Sequence, residues 1–186
     1  VSENKAPDLK ALVKKAQDGD TVAFGEIYDV LITPIYRYIF YRLNDQDAAE
    51  DLTEETFLKV WENLKKYKEG ANPFSSWVYR IAHNLVIDHY RKVGPVGEVD
   101  ENTVDEARHS DPKGETHLKL TQIRLHKLIK QLPEDGQQVI ILKFINNLSN
   151  EEISAATGKT EGSIRTIQSR ALAKLRDYLG HKDDHL

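Results

Sequence analysis

The sequence predicts an all-α fold, two small helical domains joined by an acidic linker, and three observations carry that expectation. Apolar residues recur at helical spacing along most of the chain. One stretch, residues 93–116, interrupts the periodicity with Gly94, Pro95, Gly97, Pro112 and Gly114 and few large apolar side chains. No run alternates with period two for long enough to make a strand.

Leu9, Leu12, Val13 and Ala16 follow the i, i+3, i+4, i+7 spacing of a first helix, which Gly19 stops. Asp20 caps a second helix with Phe24, Ile27, Tyr28 and Leu31 facing inward, and Pro34 either kinks it or opens a new one. A third helix is expected from Asp47 to Lys66, with Phe57, Val60, Trp61 and Leu64 as its apolar stripe. A fourth begins at Asn72-Pro73, a cap followed by proline, and buries Phe74, Trp77, Val78, Ile81 and Leu85. The rings expected to be exposed are Tyr67 and Tyr79.

The 186 residues contain no cysteine, so each domain must fold on helix packing alone, as suits a reducing cytoplasm. No apolar run approaches the roughly 20 residues that span a bilayer, and no signal peptide is visible, so a soluble cytoplasmic protein without membrane insertion is expected. The net charge of −4 is unevenly spread. Residues 1–92 hold 13 Lys/Arg against 15 Asp/Glu, residues 93–116 hold 2 against 7, and residues 117–186 hold 11 against 8. A mildly basic C-terminal part is thus tethered through an acidic strip to a near-neutral N-terminal part.

The sharpest local pattern lies between Leu148 and Leu179. Ser149 and Glu152 form a capping box flanked by Leu148 and Ile153, Gly158 ends the short helix, and Thr160 caps the next. A short helix, a glycine turn and a longer helix describe a helix-turn-helix. On the second helix Ile164, Ile167, Ala171, Leu175 and Tyr178 share one face. Ser163 lies near its start, and Arg165, Thr166, Ser169 and Arg170 point away from that face. Arginine reads guanine edges bidentately, and small hydroxyls reach bases or phosphates. A plain helical hairpin with a solvated polar face has the same pattern.

Two further surfaces stand out. The fourth helix carries Ser76, Arg80, His83, Asn84, Ile87 and Arg91 opposite its core stripe, with Lys92 at its basic end. Before it come Lys65-Lys66-Tyr67-Lys68 and a loop ending in Asn72. Basic side chains beside aromatic ones suit single-stranded nucleic acid. The third helix opens with Asp45, Asp47, Glu50, Asp51, Glu54 and Glu55. These acids complement the helix dipole, and they also offer a docking face to a basic partner.

These residues resemble the extracytoplasmic-function (ECF) sigma factors of the sigma-70 family. DAAEDLTEETFLKVWENL (47–64) is similar to the family's region 2.2, FSSWVYRIAHNLVIDHYRK (74–92) to regions 2.3 and 2.4, and residues 132–176 to region 4. The resemblance implies region 2 over 1–92, a linker over 93–116 and region 4 over 117–186. It implies that Asp51, Glu54 and Glu55 dock on the clamp helices of the largest subunit of core RNA polymerase, whose flap is a further partner. Glutamine is the commoner residue at the position of Glu54. It implies that Lys68, Asn72, Arg80, His83, Asn84, Arg91 and Lys92 serve the −10 element, where a base of the non-template strand turns out into a pocket. It implies that Ser163, Arg165, Thr166, Ser169 and Arg170 read the −35 element as duplex promoter DNA. A basic residue is more usual where this chain has Ile167, which narrows that contact set. The linker would thread the polymerase cleft and RNA exit channel, and an anti-sigma factor would mask both domains.

Other classes fit less well. No phosphate-binding glycine loop, nucleophile elbow or H-E-x-x-H is present, and His83 and His89 do not share a helix face, so no catalytic residue, metal or cofactor is expected. A stand-alone helix-turn-helix regulator leaves the acidic third helix and the basic–aromatic face without a role. A structural interaction protein leaves the recognition helix without one. No further domain is expected after Leu179, only a short charged tail.

Overall fold

The computed structural model describes residues 8–93, apart from Glu69 and Ala71, and 115–180, with side chains in the second stretch described from Ile123 to Leu179. Most of the 93–116 linker lies outside the described residues. Among the described residues every regular element is helical. In order they are α1 (Leu9–Gln17), α2 (Thr21–Leu43), α3 (Gln46–Asn63) with a 3₁₀ turn at Leu64–Lys66, α4 (Phe74–Val93), α5 (Glu115–Lys130), α6 (Glu134–Ile140) continuing into a π-helical turn at Ile141–Ile145, α7 (Asn150–Thr157) and α8 (Glu161–Gly180).

The boundaries follow local chemistry. Asp20 accepts from the amides of Val22 and Ala23 at 2.9 and 3.1 Å, which starts α2. Pro34 stays inside α2, which runs on to Leu43 and closes at Asn44 in the left-handed region (φ 61°). At α7 both bonds of the Ser149/Glu152 capping box form, and Gly158 ends the helix at φ 74°. Helix α4 starts at Phe74, with the Pro73 carbonyl accepting from Ser76 and Trp77 at 3.1 and 3.4 Å.

The apolar stripes of α1–α4 meet around Ile27, Ile35, Ile39, Val60, Leu64 and Val78. Those of α5–α8 meet around Ile129, Val139, Ile141, Ile153 and Ile164, and the two sets join in one cluster. Helix α4 is central to this: α3 and α2 lie against part of its surface and α7 against another. Three expectations from the sequence need correction, the first two because of that placement. Tyr79 is buried at 4 % exposure, because α4 is covered on a side that its own periodicity leaves open. Ser76, on the expected polar face, is fully buried beneath α7, where its hydroxyl donates to the Glu152 carbonyl at 3.2 Å. Trp61 is 42 % exposed at the margin of the α3 stripe, edge-on to Phe24 at 4.7 Å.

Polar groups stitch the N-terminal and C-terminal helices together. The Asn146 amide, just after the π-helical turn, donates to the Pro34 carbonyl at 2.6 Å and to the Tyr79 hydroxyl at 2.8 Å. Lys130 donates to the Arg42 carbonyl at 2.6 Å, and the Tyr90 hydroxyl donates to that same oxygen. His126 of α5 stacks on Tyr41 with both ring nitrogens buried and unpartnered. Burial, with Lys130 adding to it, holds its pKa down at about 4.

Candidate nucleic-acid interface

Tyr67 follows the 3₁₀ turn after α3, and Trp77 lies in the first turn of α4. Their rings meet at 5.1 Å between centroids, each also touching Phe74. Both rings are half-buried, Trp77 less completely covered than its core spacing predicts. Phe74 beneath them is buried. Burial of one edge fixes the pair while the remainder borders two adjoining hollows.

One hollow, about 250 Å³, is lined by Lys66, Tyr67, Lys68, Gly70, Asn72, Trp77 and Arg80, with Ala155 of α7 on its wall. The other, about 400 Å³, is lined by Lys59, Asn63, Lys66, Tyr67, Trp77, Ile81, Asn84, Leu85 and Asp88. Four of the residues singled out in the sequence, Lys68, Asn72, Arg80 and Asn84, therefore meet around one aromatic pair. Arg91 and Lys92 are exposed at the far end of α4, Arg91 paired with Asp88 at 3.4 Å, and they line neither hollow.

His83 stands apart from this group. Its Nδ1 lies 3.1 Å from the Tyr38 hydroxyl and 2.9 Å from the Gln138 amide nitrogen, so the ring faces α2 and α6. Two donors converging on one nitrogen require that nitrogen to be unprotonated. Burial first, and the Arg42 charge second, hold the His83 pKa below its ordinary value. Lys66, from the basic–aromatic run noted in the sequence, lines both hollows, whereas Lys59 and Asn63, at helical spacing before it, are additions that the sequence did not single out. The Asn63 amide donates to the Lys59 carbonyl at 2.9 Å.

Helix α8 presents Ser163, Arg165, Thr166, Ser169 and Arg170 to solvent above buried Ile164 and Ala171. Ile167 is half-buried against the core, as its wheel position predicts. Arg165 pairs with Glu161 one turn earlier at 2.8 Å, and Thr166 donates to the Gly162 carbonyl at 3.0 Å. Such an exposed i, i+4 pair contributes little to stability, which leaves the guanidinium free to exchange partners. On α3, Asp51, Glu54 and Glu55 are all exposed, and Glu55 faces Lys59 at 3.5 Å. No cluster of potential metal ligands occurs among the described residues, and no helix there is long and apolar enough to cross a membrane.

Comparison with known proteins gives this geometry its context. Residues 27–95 match the family model for Sigma-70 region 2, and residues 122–175 match that for Sigma-70, region 4. The ECF RNA polymerase sigma factor BldN of Streptomyces coelicolor is 33 % identical over 180 residues, covering 94 % of this chain and 67 % of that protein. SigW of Bacillus subtilis, also an ECF sigma factor, is 30 % identical over 182 residues, covering 92 % and 96 %. The fold is similar to that of CnrH in complex with the cytosolic domain of CnrY, with a TM-score of 0.73 at 22 % identity and coverage of 92 % and 96 %. It is also similar to RpoE in complex with the anti-sigma factor NepR from Bartonella quintana, with a TM-score of 0.67 at 25 % identity and coverage of 84 % and 96 %. Matched by both region models and at 30 % identity or more by relatives aligned along nearly its whole length, the chain belongs to the sigma-70 family as an ECF sigma factor, a transcription initiation factor and not a catalyst.

Proposed function

We propose that the chain brings bacterial RNA polymerase to promoters by reading two DNA elements in two different physical states. Residues 1–92 engage core polymerase and the −10 element, residues 117–186 engage the −35 element, and 93–116 join them in the cytoplasm. The observation that carries this reading is the Tyr67–Trp77 pair between two hollows edged by Lys66, Lys68, Asn72, Arg80 and Asn84. Turning a base out of a duplex costs a few kcal/mol in lost stacking and pairing. Stacking that base on an aromatic ring returns about 1–3 kcal/mol. The asparagine amides can hydrogen-bond a base edge, while the lysines and Arg80 meet the backbone phosphates. Melting and reading thereby become one event.

The exposed arginines and hydroxyls of α8 suit a duplex major groove, and the acids of α3 suit a basic docking surface on the polymerase clamp. An anti-sigma factor is the regulator this reading expects, supported by the likeness to RpoE in its complex with NepR. A stand-alone regulator is not favoured, because the relatives match through both halves of the chain. The test is reconstitution with core polymerase on a genomic promoter library. Specific run-off transcripts that depend on this chain support the reading. Equal transcription with and without it rejects the reading.

A further inference from the structure

We infer that Gln17, at the end of α1, is a positioning residue for strand reading: its amide fixes the backbone that aims the Tyr67 ring. This rests on the reading that the Tyr67–Trp77 surface takes the unpaired −10 strand.

Tyr67 borders both hollows beside Trp77. It also borders a third, of about 730 Å³, between α1 and the loop that leads to α4. Where its ring points depends on φ and ψ at residue 67, the place where the 3₁₀ turn gives way to extended chain (φ −62°, ψ 124°). The turn itself holds one of the two flanking peptide groups, because the Tyr67 amide donates to the Leu64 carbonyl at 3.1 Å. The other ends in the Tyr67 carbonyl, which lies past the last bond of the turn. Gln17 reaches that carbonyl across 50 residues of sequence.

One amide nitrogen carries two hydrogens, and both are used here. Nε2 of Gln17 donates to the Tyr67 carbonyl at 2.7 Å and to the Leu64 carbonyl at 2.9 Å. Both partners are acceptors, so a turned-over amide would set oxygen against oxygen. The Leu64 oxygen that Gln17 meets is the same one that accepts the Tyr67 amide. Both peptide groups of Tyr67 are thus tied to a single side chain of α1.

The surroundings give that tie its weight. The third hollow has Val13, Lys14 and Gln17 on one wall and Tyr67, Asn72 and Phe74 on the other, so the loop does not rest on packed side chains there. At the ring end, Phe74 and Trp77 lie at 5.1 Å between centroids, and the hydroxyl donates to the Asn72 carbonyl over a long 3.4 Å. Gln17 is half-buried and lines neither hollow edged by Lys68, Arg80 or Asn84. Its effect on the strand therefore passes through Tyr67.

Gln17→Met keeps the length of the side chain and removes both donors. The experiment uses the full chain with core polymerase on a promoter recovered from the run-off library, at a temperature where every variant is folded. Filter binding reports the closed complex and permanganate reports opening. Gln17→Met should leave the closed complex within about twofold and lower thymine reactivity in the −10 region about tenfold. Leu12→Ala thins the buried face of α1 without touching either carbonyl. It should cost more stability in thermal melts and yet keep native opening. Native opening in Gln17→Met, or equal losses in it and in Leu12→Ala, would overturn the positioning role. Tyr67→Leu keeps apolar packing without an aromatic face and separates the two levels of the account. If it opens poorly while Gln17→Met opens normally, the strand reading stands and the role of Gln17 falls. If it opens normally, the strand reading falls and the inference with it.

Discussion

Arg42 on α2 and Glu134 at the start of α6 form an ion pair at 3.1 Å in which the guanidinium is sealed from water and the carboxylate is not. The pair joins residues 92 positions apart. Its two ends are therefore unequal: the buried one depends on the exposed one, and the exposed one can be solvated without help.

That asymmetry predicts the outcome of two substitutions. Glu134→Ala strands a buried cation and should cost about 1.5–3 kcal/mol of stability. Arg42→Met removes the charge that needs a partner and should cost less, as apolar replacement of buried ionic groups commonly does. Urea unfolding of the two variants gives the ranking directly. If Glu134→Ala is the milder change, the pair is not what neutralises Arg42.

A second prediction concerns acid. His126 has a pKa of about 4 in the fold against 6.5 when exposed. Across that window the unfolded chain binds more protons, so stability is complete above about pH 6.5 and falls as the pH drops towards 4. The difference amounts to at most about 3 kcal/mol. His83 is shifted the same way and adds to the loss. His126→Phe keeps the stack on Tyr41 and removes two unpartnered nitrogens. It should raise stability at pH 5 by more than at pH 8. Thermal melts at both values decide this, and an equal effect at each would show that the ring is not protonated on unfolding in that range.

Much of the backbone path was legible because its signals are local. Asp20, Ser149, Glu152 and Gly158 act on groups within four residues of themselves, and each does in the fold what its position in the chain predicts. The stripe of α4 was not legible in the same way. Ser76, Arg80 and His83 have the spacing of a solvent-facing polar row, yet only Arg80 is exposed, and their partners Glu152, Ala155 and Gln138 lie 76, 75 and 55 residues further on. Periodicity says which residues share a face and not what covers it. Tyr79 escaped for the same reason, since Asn146, 67 residues away, holds its hydroxyl. Lys59 and Asn63 sit beside the apolar stripe of α3, and only the approach of α4 gives them a hollow to line.

Reversing charge at Asp51 and Glu55 together should weaken association with core polymerase by tenfold or more and leave helix content unchanged. Both are exposed, and the one ion pair lost, Glu55–Lys59, has both ends half in water. Pull-down with core polymerase beside circular dichroism separates the effects. Undiminished pull-down with intact helicity would mean that the acidic face is only solvated.

Arg165→Ala should reduce affinity for the −35 element by about 1–3 kcal/mol and relax preference at one base pair. Its present partner, Glu161, is a neighbour on the same exposed helix face and costs little to leave. Binding of the polymerase complex to single-base variants of the element distinguishes the roles. A uniform loss across all sequences would make Arg165 a phosphate contact.

Permanganate footprinting of promoter complexes formed by core polymerase with the native chain or with Asn84→Ala tests the central claim, that the surface around Tyr67 and Trp77 takes the unpaired −10 strand. Asn84 is exposed on α4 and borders the larger of the two adjoining hollows. Its loss should leave the closed complex within about twofold, as measured by filter binding, while thymine reactivity in the −10 region falls at least tenfold (about 1.4 kcal/mol). Native reactivity in the Asn84→Ala complex, or an equal loss of closed and open complexes, would contradict the account.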